Sequence, residues 1–78
     1  MKFAIYTKEN CVYCKQVKQV FKLKDLDYEE YTLGEDFDRE SFVKKFGNGT
    51  TFPQVILDEA VIGGASDTIK YLKENNII

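Results

Sequence analysis

The stretch Cys11-Val12-Tyr13-Cys14 constrains the chain more than any other. Before it, Phe3-Ala4-Ile5-Tyr6 is short and continuously apolar, as expected of a strand buried on both faces. Thr7-Lys8-Glu9-Asn10 is a polar loop. From Cys11 to about Leu26, Tyr13, Val17, Val20 and Phe21 recur at helical spacing, while Lys15, Lys18, Lys22 and Lys24 face water. Two thiols therefore sit where a strand hands over to a helix. The free amides of the first turn and the positive end of the helix dipole lie beside Cys11 and favour its thiolate, the nucleophilic form. Cys14, one turn further in, can close on it as a disulfide.

A chain of 78 residues is long enough for one domain, 1–78, and not for two. Extracellular domains this small usually add several disulfides. Here the two cysteines lie three positions apart and close almost no loop, so as a staple the bridge constrains the unfolded chain very little. Stability must come from packing, which a 44% hydrophobic content with six Phe and five Tyr allows. A zinc site needs about four ligands, and the chain offers two Cys and no His, so no metal centre is expected. With a net charge of −2 and interspersed acids and bases, nothing suggests a nucleic-acid partner. No apolar run approaches membrane-spanning length, and Met1-Lys2-Phe3-Ala4 opens no long apolar signal region. The expectation is a cytoplasmic protein without membrane association, where a Cys-x-x-Cys pair is more often catalytic or metal-binding than structural.

Further along, Tyr28 to Leu33 reads as a second strand ended by Gly34. Asp36 or Asp38 is placed to cap a second helix, with Phe42, Val43 and Phe46 on its inner face and Gly47 at its end. Gln54 to Leu57 is a strand, Asp58-Glu59 a hairpin turn and Ala60 to Ile62 its partner. Gly63-Gly64 break the sheet, and Ser66 caps a last helix that packs through Ile69, Leu72 and Tyr71. The order β-α-β-α-β-β-α predicts an α/β fold, a four-stranded mixed sheet with helices on both faces. Phe3, Phe21, Phe42 and Phe46 are assigned to the core.

Cys11, ahead of the helix, is expected to be the exposed, reactive thiol, and Cys14 the covered one. Lys8 and Lys15 add positive charge near Cys11. Without any His to act as base, activation must be electrostatic. Such a thiol both attacks and leaves well, as thiol–disulfide exchange requires.

Three motifs carry a family resemblance. Tyr6-Thr7-Lys8 before Cys11-Val12-Tyr13-Cys14, then Thr51-Phe52-Pro53-Gln54-Val55, then Gly63-Gly64-Ala65-Ser66-Asp67, in that order and at compatible spacing, resemble a dithiol glutaredoxin of the thioredoxin-like superfamily. The match runs over nearly the whole chain. It implies a glutathione-dependent oxidoreductase with Cys11 as nucleophile and Cys14 as resolving thiol. It also implies a cis peptide between Phe52 and Pro53 beside the active cysteine. By the same resemblance the amides after Gly64, those of Ala65 and Ser66, meet the γ-glutamyl carboxylate of glutathione, and Asp67 pairs with its ammonium group. Lys8 faces the glycyl carboxylate, Tyr13 flanks the sulfur, and Thr51-Phe52-Pro53 binds the cysteinyl backbone. Implied partners are glutathione and disulfide or glutathionylated proteins, with ribonucleotide reductase as an electron acceptor and a monomeric state.

Two departures stand out. Val12 occupies a position where glutaredoxins often have Pro. Near Gly47-Asn48-Gly49 the family often supplies a second cation for the glycyl carboxylate, and the candidates here are Lys44 and Lys45. Two other readings stay open: a redoxin fed by thioredoxin reductase, and a carrier of a glutathione-ligated iron–sulfur cluster. The absence of Trp and of Gly-Pro between the cysteines weighs against the first.

Overall fold

The apolar run at the start of the chain becomes β1 (Phe3–Thr7), an inner strand of a four-stranded sheet in the computed structural model, which describes residues 2–78. In chain order there follow α1 (Val12–Leu23), β2 (Tyr28–Thr32), α2 (Arg39–Phe46), β3 (Gln54–Leu57), β4 (Ala60–Gly63) and α3 (Ala65–Glu74). The strands lie in the order β2-β1-β3-β4. β1 pairs in parallel with β2, Phe3 opposite Tyr28 and Thr7 opposite Thr32, and antiparallel with β3, Ile5 opposite Val55. β3 and β4 form a hairpin whose turn, Asp58-Glu59, takes positive φ at both residues, as a two-residue hairpin turn requires. The expected β-α-β-α-β-β-α order and mixed sheet are the observed ones.

Alternate residues of β1 face opposite sides. Phe3 and Ile5 join Val17 and Phe21 of α1, Val55 of β3 and Leu72 of α3 in a buried core. Phe3 meets Phe21 edge-on at 4.9 Å between ring centroids. Each such fully buried aliphatic or aromatic side chain contributes about 1.5–3 kcal/mol, so this cluster rather than the cysteine bridge holds the domain. On the opposite face Tyr6 packs against Phe46 of α2 at 5.0 Å and against Phe37 at 5.1 Å. Helices α1 and α3 thus share one face and α2 covers the other. Phe46 is half-buried in this second aromatic cluster rather than in the main core, and Phe42, though buried, belongs there too.

Several boundaries differ from the sequence reading. Helix α1 stops at Leu23: Asp25 takes a left-handed φ of 54°, the Leu26 amide donates to the Phe21 carbonyl at 2.8 Å, and Asp25 donates to Lys22. Leu26 returns to the core after this closure, which is why its spacing reads as helical. Asp38 caps α2, accepting from the Ser41 amide at 2.8 Å, while Asp36 accepts from the Thr32 amide instead. At α3 the expected cap is corrected: Gly64 is the N-cap, Ser66 lies inside the helix, and no side chain caps it. Thr68 and Leu72 form its buried face, and Ile69, expected to pack inward, is half-buried. No helix of the described residues is long and apolar enough to cross a membrane.

Candidate active site

Three segments meet at one end of the sheet: the loop and first turn after β1, the loop before β3, and the turn from β4 into α3. Together they border a cleft of about 910 Å³.

At its centre Cys11 is the N-cap of α1, in extended backbone conformation. Its Sγ accepts from the Cys14 amide at 3.2 Å, and its carbonyl takes the first helical bond from Lys15. An amide that would otherwise lack a partner at the helix start is thereby turned onto the sulfur. Cys11 and Cys14 are joined as a disulfide, with Cα atoms 5.2 Å apart. Cys14 is buried, as expected, but so is Cys11, only 7% exposed, which corrects the expectation of an exposed first thiol. The N-cap position folds its sulfur back over the first turn and onto Cys14, leaving one side at the cleft.

The second wall is Thr51-Phe52, followed by a cis peptide between Phe52 and Pro53, as the motif implies. Buried Gln54 donates its Nε2 to the Thr51 carbonyl at 2.9 Å, and the Thr50 hydroxyl lies 2.9 Å from the Phe46 and Gly47 carbonyls. These three contacts fix this loop.

The third wall is the start of α3. With Gly64 as N-cap, no side chain caps the amides at the start of this helix, and Ala65 and Ser66 border the cleft there. Gly63 has φ 130°, and a Cβ there would lie 2.8 Å from Asp67 Oδ2, so the Asp67 carboxylate folds back over the turn that only glycine permits.

Lys8, Cys11, Tyr13, Thr51, Phe52, Gly64, Ala65, Ser66 and Asp67 all border the cleft. Cys14 and Pro53 lie buried beneath it. Tyr13 is largely exposed at the rim. The two lysines proposed as second cation do not reach it: Lys44 pairs with Glu40 at 3.8 Å, and Lys45 sits 5.8 Å from the Tyr6 ring on the other face of the sheet. Arg39 borders the cleft instead. It is the first residue of α2, a position that the Asp38 cap defines once the cap is known. Neither Lys8 nor Arg39 is in an ion pair among the described residues. No group of three His, Cys, Asp or Glu among the described residues is arranged to hold a metal ion.

The glutaredoxin family model matches residues 3–62, spanning both cysteines and the cis-proline loop. The chain belongs to the glutaredoxin family. Glutaredoxin 3 of Escherichia coli K12 is 39% identical over 64 residues, covering 81% of this chain and 76% of that protein. Glutaredoxin 1 of Rickettsia prowazekii is 33% identical over 75 residues, covering 94% of this chain and 79% of that one. Among solved structures, reduced E. coli glutaredoxin superposes with a TM-score of 0.81 at 26% identity over the full length of both chains. As a glutaredoxin the protein is a thiol–disulfide oxidoreductase, and the Cys11–Cys14 bridge is its redox-active pair in the oxidised state.

Proposed function

We propose that this glutaredoxin uses glutathione to reduce protein disulfides and glutathione mixed disulfides. The observation that carries the reading is the charge layout of one cleft. Two cations in no ion pair among the described residues, Lys8 and Arg39, border it, as do an uncapped helix N-terminus and Asp67. Glutathione has the matching pattern: a glycyl carboxylate at one end, and an α-carboxylate and ammonium group at the other. With the Ala65 and Ser66 amides and Asp67 on the γ-glutamyl end, and Lys8 with Arg39 on the glycyl end, the cysteinyl sulfur comes to Cys11 between Tyr13 and Thr51-Phe52-Pro53. Arg39 takes the part first assigned to Lys44 or Lys45.

The Cys11 thiolate attacks a substrate disulfide and displaces one sulfur as a thiolate. Cys14, deprotonated, then attacks Cys11 Sγ, releasing the second substrate sulfur and closing the Cys11–Cys14 bridge. One glutathione thiolate opens that bridge by forming a mixed disulfide with Cys11. A second attacks the glutathione sulfur of that adduct, leaving oxidised glutathione and the Cys11 thiolate. Two electrons pass from two glutathiones to one disulfide. For a glutathionylated substrate, Cys11 alone completes the cycle. The Cys14 amide on Cys11 Sγ supports the leaving and attacking roles of that sulfur, because a hydrogen-bond donor stabilises developing negative charge. The same proposal includes a single 1–78 domain acting as a monomer in the cytoplasm, with ribonucleotide reductase among its acceptors.

The test is turnover of a glutathionylated peptide with glutathione and glutathione reductase, for the wild type and Cys14→Ser. Activity in both establishes glutathione dependence and the one-thiol route, and activity in the wild type alone makes Cys14 necessary. No activity in either, with thioredoxin reductase sustaining reduction of protein disulfides, replaces the reading with a thioredoxin-reductase-fed redoxin.

A further inference from the structure

The side chain of Phe52 has a part in the cleft separate from its backbone. Its ring stacks on Phe42 of α2, with centroids 4.3 Å and planes 17° apart, and lies nearly parallel to Phe37 at 6.2 Å. Phe37 and Phe42 stack on each other at 5.7 Å, and Phe42 is buried. Two rings thus fix the plane of the third, the one that reaches the active site. Lys8 Nζ lies 5.6 Å from the Phe52 centroid, inside the roughly 6 Å range in which a ring face attracts a cation. Lys8 is exposed, on a loop, and in no ion pair among the described residues. A free lysine loses more rotamer freedom on binding than most side chains, so a ring that holds its ammonium beforehand lowers that loss.

We propose that Phe52 is a positioning residue: its ring, oriented by the Phe37–Phe42 stack, holds the Lys8 ammonium at the cleft so that it meets the carboxylate of the incoming thiol. An aliphatic side chain at position 52 fills the same space and lacks the π face that holds a cation. The inference rests on the glutathione reading, in which the carboxylate is the glycyl one.

The experiment has two arms. In the free reduced protein, the Lys8 side-chain protons are followed by NMR in wild type, Phe52→Leu and Phe52→Tyr. The expected result is an upfield ring-current shift in wild type and Phe52→Tyr that is lost in Phe52→Leu. In turnover, Phe52→Leu is expected to raise KM for glutathione about two- to fivefold, the size of an exposed cation–π contact, and more than it lowers kcat. The increase disappears with the glycyl ethyl ester of glutathione or in a Lys8→Met background, and Phe52→Tyr restores the wild-type value. Lys8 shifts that are the same in Phe52→Leu and wild type overturn the proposal, as does an equal KM increase for acid and ester. Failure of the wild type to use glutathione removes the functional reading, and the NMR arm then still decides whether the ring holds the lysine.

Discussion

The Asp67 carboxylate lies so close over the α-carbon of Gly63 that a methyl group there would come within 2.8 Å of Oδ2 and 3.0 Å of Asp67 Cβ. The turn from β4 into α3 is therefore built around a missing side chain. Because the whole Asp67 side chain must move, and because φ is 130° at this residue, Gly63→Ala is expected to cost about 1–3 kcal/mol in urea unfolding. Gly64 differs: its φ is −81°, and an added Cβ would meet the Pro53 carbonyl at an ordinary 3.6 Å. Gly64→Ala is expected to be the milder change. Equal costs at the two positions would show that the Asp67 contact does not govern the turn.

The cysteines make different predictions because only one borders the cleft. Incubated with oxidised glutathione, Cys14→Ser is expected to accumulate one glutathione per chain, seen by mass spectrometry, since nothing remains to displace it from Cys11. Cys11→Ser is expected to accumulate none, because Cys14 is 1% exposed and does not border the cleft. A glutathione adduct on Cys14 in the second variant would reverse the assignment of nucleophile and resolving thiol.

The order of elements is readable from the chain because its apolar pattern changes where the structure changes. The unbroken run Phe3 to Tyr6 gives way to the helical spacing of Val17 and Phe21, and the Asp58-Glu59 turn separates two short strands. Helix ends are harder to read. Asp25 and Asn76 both take the left-handed conformation that glycine usually supplies after a helix, with φ 54° and 56°. Neither residue announces the stop, so α1 is read on to Leu26, whose amide actually closes back onto Phe21.

The same division runs through the site. Cys11, Cys14, Pro53 and the glycine pair lie in local motifs and are legible as such. Arg39 and the Phe42–Phe52 stack depend on α2 meeting the loop before β3, a contact between segments that spacing along the chain does not encode. Burial of Cys11 is local instead, a matter of where the sulfur folds rather than of spacing along the chain. Local sequence places it before a helix, and the disulfide with the N-cap geometry covers it.

Acid sensitivity is expected at Glu30. Partial burial pushes its carboxyl upward, but hydrogen bonds from Lys18 Nζ and Thr7 Oγ1, both 2.9 Å, with the charges of Lys18 and Lys22, outweigh that and hold it below the ordinary glutamate value. A carboxyl lowered in the folded state adds stability above its unfolded pKa and loses it as pH falls through the folded one. Glu30→Gln should therefore destabilise at neutral pH, by at most about 1 kcal/mol once solvent screening is counted. The difference from wild type should shrink in acid. A gap that stays constant from neutral pH into the acid range would show that the charge of Glu30 contributes nothing.

Arg39 supplies the sharpest test of the glycyl end of the cleft. It borders the cleft without an ion-pair partner among the described residues, whereas Lys44, five residues on, is paired with Glu40. If Arg39 meets the glycyl carboxylate, Arg39→Gln should raise KM for glutathione roughly fivefold, the loss of about 1 kcal/mol from a solvent-exposed charge pair. Lys44→Gln should leave KM unchanged. Because the lost attraction is between exposed charges, the ratio of variant to wild-type KM should fall as salt is raised toward 1 M. Similar KM values for the two variants, or a ratio insensitive to salt, would remove Arg39 from the glutathione site and leave Lys8 to meet the glycyl carboxylate alone.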